Sequence, residues 1–562
     1  MQLVSQGQQN IILNGNPSKS FFKATYRQYT NFGLQKFRVD YEGSKTLRLS
    51  EPSIFTFKIP RYADLLMDSY ISVTMPSIWS PILPPQQITP ESTAQGLGNI
   101  EQWAPYEFKW IENLGAKMIS QIQITCGNYT LQEYSGDYLL ASVQRDFSAE
   151  KKALFDIMTG NIPDLNDPGN SNSRVNSYPN AYYTGDIAGP EPSIRGRTLF
   201  IPLNSWFGLK SQMAFPLTSL QYNELQINIT FRPLNQLFVI RDVFDATNNY
   251  PYIAPNFNSW YMQFYRFIQP PPDISLGINS YSDLRTLWNA DINLNCTYCF
   301  LSNEEERLFA IQEQKYLIKQ VHEYIFPNVT GPNKVDLDSL GMVADWLFYF
   351  QRSDANLRNE WSNYTNWPYN YLPVNCLQAP TNGNYTIYRS SATGLTSVNI
   401  GPGVNPDGTL TGLLINPTYN PQNEKYILVA LGILLDGSYR ENIQPAGVFN
   451  YIEKYLRTSG NAPDGLYCYN FCIHTNNSDL QPSGAMNMSR YSQIQLEFTT
   501  IIPPLDPLAQ SLTICDPETG TIIGVNKPTW RIYDYNFDLY LFEERINVVN
   551  FIGGNVGLMY AT

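Results

Sequence analysis

Residue-by-residue alternation of apolar and polar side chains runs through this chain and sets what it can fold into. Phe55, Phe57 and Ile59 alternate with Thr56 and Lys58. Ile71, Val73 and Met75 alternate with Ser72 and Thr74, and Ile122, Ile124 and Cys126 with Gln121, Gln123 and Thr125. The pattern returns at Leu225–Phe231, at Ile494–Phe498 and from Tyr533 to Leu541. Successive side chains of a strand point to opposite faces, so each run predicts a strand with one face in a core and one in a polar setting. Many such strands predict antiparallel sheets packed as sandwiches. With 14% aromatic residues, 39 Pro and 35 Gly but only 15% charged residues, the composition favours strands and long loops over helices.

Size and charge exclude several classes. A chain of 562 residues holds about four average domains or two large all-β ones. The net charge of −12 speaks against a generally basic nucleic-acid binder. The densest apolar run, Tyr426–Leu435, is half of the roughly 20 residues a spanning helix needs. The start, MQLVSQGQQN, has neither the charged nor the apolar region of a secretory signal. Seven cysteines and two histidines, His322 and His474, predict free thiols in a reducing compartment and leave little material for a metal site or a His-based triad. Cys296 and Cys299 form a CxxC and Cys468 and Cys472 a CxxxC. These lack the close paired knuckles of a four-cysteine zinc site and read as small buried residues.

Helices are few, and the best candidate is SNEEERLFAIQEQ, with Ser302 as N-cap, Glu305 completing a capping box, and an acidic first turn. Long loops are predicted at 76–105, 161–192 and 351–422. LQYNELQINIT, from Leu220, aligns with SRYSQIQLEFT, from Ser489, at an offset of 269 residues. A repeat near half the chain length is what a duplicated β-domain shows. It divides the chain into an arm at 1–21, a first domain at 22–240, a connecting segment at 241–284 containing Pro270–Pro272, and a second domain at 285–562 that carries the 351–422 insertion and a C-terminal tail.

Seven blocks, in order, carry a family resemblance: GNPSKSFFKATYRQYTNF from Gly15, FTFKIPRYADLLMDSYISVTMP from Phe55, WIENLGAKMISQIQITCGNYTLQEYSGDYL from Trp110, LFIPLNSWFGLKSQMAFPLTSLQYNELQINITFRP from Leu199, FLSNEEERLFA from Phe300, QPSGAMNMSR from Gln481, and the terminal NVVNFIGGNVGLMYA. The chain resembles the major capsid proteins of the nucleocytoplasmic large DNA viruses, and among them most the mimivirus-like viruses of protists and algae. The long 351–422 loop has no counterpart in the smallest members. The resemblance implies an all-β double jelly roll: two eight-stranded antiparallel β-sandwiches in one chain, with long loops and few short helices. It implies a structural protein and no enzyme, no cofactor and no metal. Three copies would form a pseudo-hexagonal capsomer, and capsomers would tile an icosahedral shell over an internal membrane. The implied partners are further copies of the chain, minor capsid and penton proteins and the internal viral membrane, with no direct nucleic acid. The implied location is the virion, after synthesis and assembly in the host cytoplasm. A capsid paralogue and a lectin-like or host-adhesion β-sandwich are the competing readings.

On this reading several residues become candidates. Lys19, Lys23, Arg27, Lys36 and Arg38, with no acid among residues 1–39, form a basic arm suited to the inner face of a shell, where anionic lipid or acidic minor proteins would attract it. Tyr178, Tyr182, Tyr183, Trp361, Tyr364 and Trp367 are aromatics for contacts between subunits or, equally, for loop packing within the chain. Asn363 and Asn384 are the sequons best placed for glycosylation. Ser483 and Gly484 form a turn, and Arg490 is expected to begin the second strand of the repeat and to fix that junction by hydrogen bonds.

Overall fold

The computed structural model describes residues 11–12, 15–43, 46–83, 104–105, 107–181, 191–245, 250–271, 281–370, 385–391, 394–400, 424–476, 479–503, 512–515, 522–526, 530–532 and 534–560. Two sandwiches account for most of it. The first is built from β1 (Phe32–Val39), β2 (Ser53–Lys58), β3 (Leu65–Met75), β4 (Ile119–Cys126), β5 (Tyr129–Tyr134), β6 (Arg197–Pro202), β7 (Leu225–Phe231) and β8 (Asn293–Leu301). Its sheets run β1-β8-β3-β6 and β2-β7-β4-β5. The second uses β9 (Gln314–Phe326), β10 (Pro332–Asp336), β11 (Met342–Arg352), β12 (Leu428–Leu435), β13 (Ser438–Pro445), β14 (Leu466–Asn470), β15 (Ile494–Thr500) and β16 (Phe537–Ile552). Its sheets run β9-β16-β11-β14 and β10-β15-β12-β13. Strand n of the first half thus occupies the place of strand n+8 in the second. All the pairings are antiparallel, and the order is that of a jelly roll repeated: the fold is a double jelly roll.

The alternating runs become strands because their apolar members close a sandwich. In β7 the side chains of Leu225, Ile227, Ile229 and Phe231 are buried, and those between them are half-exposed. The repeat found in sequence lands on equivalent elements. Leu225 pairs with Cys126 in the first half as Ile494 pairs with Leu435 in the second. The two-residue strand Phe215–Pro216 adds to β3 and Met486–Asn487 adds to β11 just before these strands. The first core continues across the contact between the halves, taking in Leu347, Tyr349, Phe542 and Phe551 of the second. A separate cluster fills the second sandwich.

Several expectations are corrected here. The strand β8 falls within the proposed second domain, yet it pairs with β1 from Phe32↔Leu301 to Val39↔Leu294 and with β3, completing the first sandwich. The chain therefore passes to the second half after Leu301 and not at 285. The segment 241–284 is not a free connector, since Tyr261, Phe264 and Phe267 belong to the first core. The last long strand begins at Phe537 and extends to Ile552. Part of 351–422 is ordered as a hairpin of Tyr385–Ser391 with Gly394–Ile400.

Three helices matter below: α1 (Gly136–Asp146), α2 (Ala149–Thr159) and α3 (Asn303–Ile311). The helix expected at Ser302 is α3, but Ser302 makes no side-chain capping bond. The bonds of that kind occur at α1, where Ser135 Oγ accepts from Tyr138 N, and at α2, where Ser148 Oγ accepts from Lys151 N. The helix α2 ends at Gly160 in the left-handed region, the usual helix stop.

Candidate assembly surfaces

The two halves meet through α1. This helix follows β5, is buried along its whole length, and lies against the outer face of the second half's β9-β16-β11-β14 sheet. Arg145 is its anchor. The guanidinium donates to Asp345 Oδ1 at 2.6 Å, Glu544 Oε1 at 2.7 Å and Asp146 Oδ2 at 2.7 Å. Lys319 Nζ reaches Glu544 Oε2 at 2.8 Å and the Thr475 carbonyl at 3.0 Å. The Tyr138 hydroxyl donates to Glu544 Oε1 at 2.8 Å. Two cations therefore face three carboxyls in a cluster where Arg145, Asp345 and Glu544 are wholly buried. Burial, helped by Glu544, pushes Asp345 up to about 7 against Arg145 and Lys319. Burial acts on Glu544 in the same sense, but there Arg145 and Lys319 prevail and bring it down to about 2. The helix carbonyl of Arg145 accepts from Gly460 N at 2.7 Å, and a Cβ on Gly460 would lie 2.6 Å from that oxygen. Only glycine fits there.

A second patch joins the start of the long loop to the first half. Asn359, at φ 50°, donates through Nδ2 to the carbonyls of Asn235 at 2.7 Å and Phe238 at 2.8 Å. Trp361 Nε1 donates to the Gln236 carbonyl at 2.9 Å, and the Arg232 guanidinium lies 4.9 Å from its ring centroid. Lys117 binds Asp137 at 2.6 Å and the Trp361 carbonyl at 2.8 Å. Tyr364 is buried beside Tyr349, with ring centroids 4.4 Å apart. The contacts of Trp361 are thus spent on joining the two halves of one chain, and Lys117 of the first half also lies 5.7 Å from the Tyr364 ring centroid. The backbone N–H of Trp367 donates to Thr365 Oγ1, within its own loop. Tyr178 fastens a loop of the first half, its hydroxyl bonding the Phe108 backbone and Ser80 Oγ. Tyr182, Tyr183 and Asn384 lie outside the described residues.

The remaining candidates separate. Lys19, Lys23 and Arg27 sit on an exposed segment at 15–31, together with Phe21, Phe22, Tyr26 and Tyr29, each at least 82% exposed. Lys36 and Arg38 do not belong to that arm but to β1, and Arg38 pairs with Asp40 and Asp291. Asn363 is half-buried, and its amide holds a turn: Nδ2 donates to the Trp367 carbonyl and Oδ1 accepts from Thr365. A glycan there would cost that turn. Ser483 Oγ bridges the backbone of His474, accepting from its N–H and donating to its carbonyl. Gly484, at φ 139°, passes close to Cys472. Both line a cavity of about 370 Å³ between the halves, together with Trp206 and Lys319. The expectation for Arg490 is corrected. It is exposed in the turn Met488–Arg490, ahead of a strand that starts at Ile494. The bonds at this junction come from its neighbours: Ser489 Oγ accepts from Gly341 N, and Asn487 Oδ1 from Ser489 N.

Cys126, Cys296, Cys299, Cys468 and Cys472 are free and buried. Burial pushes Cys126 and Cys296 up to about 12. Among the described residues no group of three or more His, Cys, Asp or Glu is placed to hold a metal ion.

Sequence signals for the junction existed in part. The run SGDYLLASVQRD carries a Ser N-cap, and SAEKKALFDIMTG a Ser N-cap with a Gly stop, both markers of helices. Nothing local in the sequence marks Arg145, Asp345 and Glu544 as partners, because they lie 200 and 399 residues apart.

Comparison with known proteins agrees with this architecture half by half. The chain is 24% identical to the major capsid protein of Phaeocystis pouchetii virus over 602 aligned residues, covering all of this chain and 99% of that protein. It is 22% identical to that of Paramecium bursaria Chlorella virus 1, covering all of this chain and 98% of that one. Capsid protein 1 of Acanthamoeba polyphaga mimivirus is 26% identical over 57% of this chain and 43% of its own length. Among solved structures, the Faustovirus major capsid protein superposes with a TM-score of 0.57 at 14% identity, over 97% of this chain and 94% of that one. The subunit of the PBCV-1 virus capsid superposes with a TM-score of 0.56 at 17% identity, over 97% of this chain and all of that one. The family described as the major capsid protein N-terminus matches residues 20–266, and the large eukaryotic DNA virus major capsid protein family matches 305–502. One match falls on each half, in order, and the chain belongs to the major capsid protein family of the large eukaryotic DNA viruses.

Proposed function

We propose that three copies of this chain form a pseudo-hexagonal capsomer, and that capsomers tile an icosahedral shell over an internal membrane. The observation that carries this reading is the equivalence of the two halves. Strand order, register and the short edge strands repeat from one sandwich to the other, so three chains supply six like units, and a three-fold ring of chains approximates a six-fold ring of sandwiches. Hexagonal units tile a shell. The rigid attachment of the halves supports the same reading, because the charge cluster around Arg145 and the patch around Trp361 fix their relative orientation within one chain.

In this role the chain works by burying surface against its own kind, and its partners are further copies together with minor capsid and penton proteins. The exposed segment at 15–31, with its basic and aromatic side chains, faces the membrane. Synthesis and assembly take place in the host cytoplasm, and the product is part of the virion. The test is light-scattering mass of the purified protein with negative-stain images of the same peak. A particle of three times 64.1 kDa with a hexagonal outline is expected. A folded protein that stays monomeric across the micromolar range overturns the capsomer reading.

A further inference from the structure

The helical segment that follows β13 holds an asparagine and a lysine one turn apart, both buried and in contact. A π-helical turn, Val448–Ile452, runs straight into the short helix Glu453–Arg457. The segment packs on β14, with Phe449 wholly buried against Phe348 and Tyr469. Residues four apart on a helix are neighbours, and Asn450 and Lys454 share the inner face, at 3% and 9% exposure. Turns of the π type are rare and recur at functional sites.

Four groups converge there. Lys454 Nζ donates to Asn450 Oδ1 at 2.9 Å, and to the carbonyls of Pro463 at 2.9 Å and Ala462 at 3.4 Å. Asn450 Oδ1 also accepts from Gly465 N at 3.3 Å. Asn450 Nδ2 donates to Asp464 Oδ1 at 3.5 Å. The partners agree on the orientation of the amide, since two donors meet its oxygen and one acceptor meets its nitrogen. The Gly465 donor is itself held in place. Its φ is 88°, and a Cβ there would lie 2.7 Å from the Tyr364 carbonyl oxygen, so only glycine fits.

The ordinary role of such a lysine is to hold a loop by hydrogen bonds alone. This one has more around it. Burial brings Lys454 down to about 8, against the pull of Cys468 and Asp464, so a share of the amine is neutral and nucleophilic near neutral pH. The oxygen of the neighbouring amide is polarised by a fixed backbone N–H, the arrangement that stabilises charge developing on an acyl oxygen. The amide nitrogen has a carboxylate beside it to carry a proton. A nucleophile, a polarised carbonyl and a proton carrier are the parts of an acyl transfer.

We propose that Lys454 and Asn450 join after folding in an intramolecular isopeptide bond, with Gly465 N–H and Asp464 assisting. The Lys454 nitrogen bonds to Asn450 Cγ, and the bond from Cγ to Nδ2 breaks. Asp464 takes a proton from the attacking nitrogen and returns it to the departing one, which leaves as ammonia. One amine and one amide become one substituted amide and ammonia. Nothing is oxidised or reduced, and no co-reactant enters. The new amide keeps one N–H to donate to the loop at 458–465. That loop also carries Gly460, whose N–H holds the Arg145 carbonyl, so the bond forms beside the junction of the halves.

The test is the mass of the full, unaltered chain, purified folded and held for days at a pH above about 8. The intact mass is expected to be lower than that of the bare chain by one ammonia. Trypsin cuts after a lysine only when its amine is free. Digestion is therefore expected to give residues 441–457 as one uncut peptide, lighter by ammonia and without fragments between 450 and 454, where the unlinked chain gives 441–454 and 455–457. A chain of full mass that is cut after Lys454 overturns the inference. Loss of ammonia with Lys454 still open to trypsin overturns it as well, since a succinimide at an Asn-Gly step leaves that lysine free. Lys454→Arg keeps the charge without a nucleophilic amine and is expected to keep full mass. In Asp464→Asn the share of linked chain at a fixed time after synthesis is expected to fall by about tenfold or more, with the melting curve of the unlinked chain unchanged. An equal share in that variant overturns the part assigned to Asp464.

Discussion

Arg145 of the first sandwich and Asp345 of the second meet at 2.6 Å with both side chains wholly excluded from solvent. The pair sits at the end of α1, a helix buried from end to end, and one of the two sets of contacts that orient the halves converges on it. The value of such a pair lies in what is left when it is broken. Desolvation of the two charges offsets much of their attraction, but removing one partner leaves the rest of the cluster uncompensated in a dry site.

Arg145→Met is therefore expected to be severe. Asp146, Asp345 and Glu544 would be left to Lys319, and the loss is expected to be about 3–5 kcal/mol. Denaturant unfolding followed by tryptophan fluorescence measures it. Arg145→Lys keeps the charge but not the fork that reaches three carboxyls, and should lie between the two. If Arg145→Met unfolds at the same denaturant concentration as the unaltered chain, the junction does not depend on this cluster.

The same cluster predicts a pH dependence whose sign is opposite to that of an ordinary salt-bridged carboxylate. Asp345 is pushed up to about 7 by burial and by Glu544, whereas an unfolded Asp titrates near about 3.9. Between those values the folded chain holds a proton that the unfolded chain has released. Stability from this group is thus greatest at the acid side of the window and falls as pH rises toward 7. Glu544, brought down to about 2, contributes in the other sense, and its share is lost only as pH falls from about 4 toward 2. Melting temperatures from pH 4.5 to 8 should fall more steeply for the unaltered chain than for Asp345→Asn. Parallel curves would show that Asp345 does not carry the proton.

How far these relationships could be read from sequence depends on their range. The alternation at Phe55–Ile59, Ile71–Met75 and Leu225–Phe231 marks strands because a half-buried sheet imposes period two locally. The repeat of Leu220–Thr230 at Ser489–Thr499 lands on β7 and β15, equivalent strands, because duplicated positions keep the same inward-facing set. The strand β11 escapes the pattern, since all but its first residue are buried and both faces are covered. The place of β8 escapes it for another reason. Which partner a strand pairs with is decided by strands about 230 and 260 residues earlier, and Asn293–Leu301 itself reads the same in either half. The helix α1 carries Asp137, Gln144, Arg145 and Asp146 on buried positions, so an apolar stripe does not announce it.

Asn359 gives a prediction that separates backbone strain from hydrogen bonding. Its left-handed conformation suits Asn or Gly, and its amide satisfies two carbonyls of the first half. Asn359→Ala should lose both bonds and also strain the backbone, at a combined cost of about 3 kcal/mol. Asn359→Gly should lose the bonds alone and recover about 1 kcal/mol of that. Equal stabilities for the two variants in thermal unfolding would show that the backbone contributes nothing.

The segment at 15–31 should matter to a membrane and not to the fold. Phe21, Phe22, Tyr26 and Tyr29 project into solvent beside Lys19, Lys23 and Arg27. Deleting residues 1–31 is therefore expected to leave the melting temperature unchanged. Each basic side chain near an anionic surface contributes about 1 kcal/mol, so three of them strengthen association by about a hundredfold. Rings that insert at the headgroup level add to this without favouring one lipid charge over another. Flotation with phosphatidylserine vesicles should recover the full chain far better than flotation with phosphatidylcholine, and the difference should shrink at high salt. The truncated chain should float with neither. Equal recovery on neutral and anionic vesicles would remove the electrostatic role of Lys19, Lys23 and Arg27, and equal recovery of the truncated chain would remove the segment from membrane contact altogether.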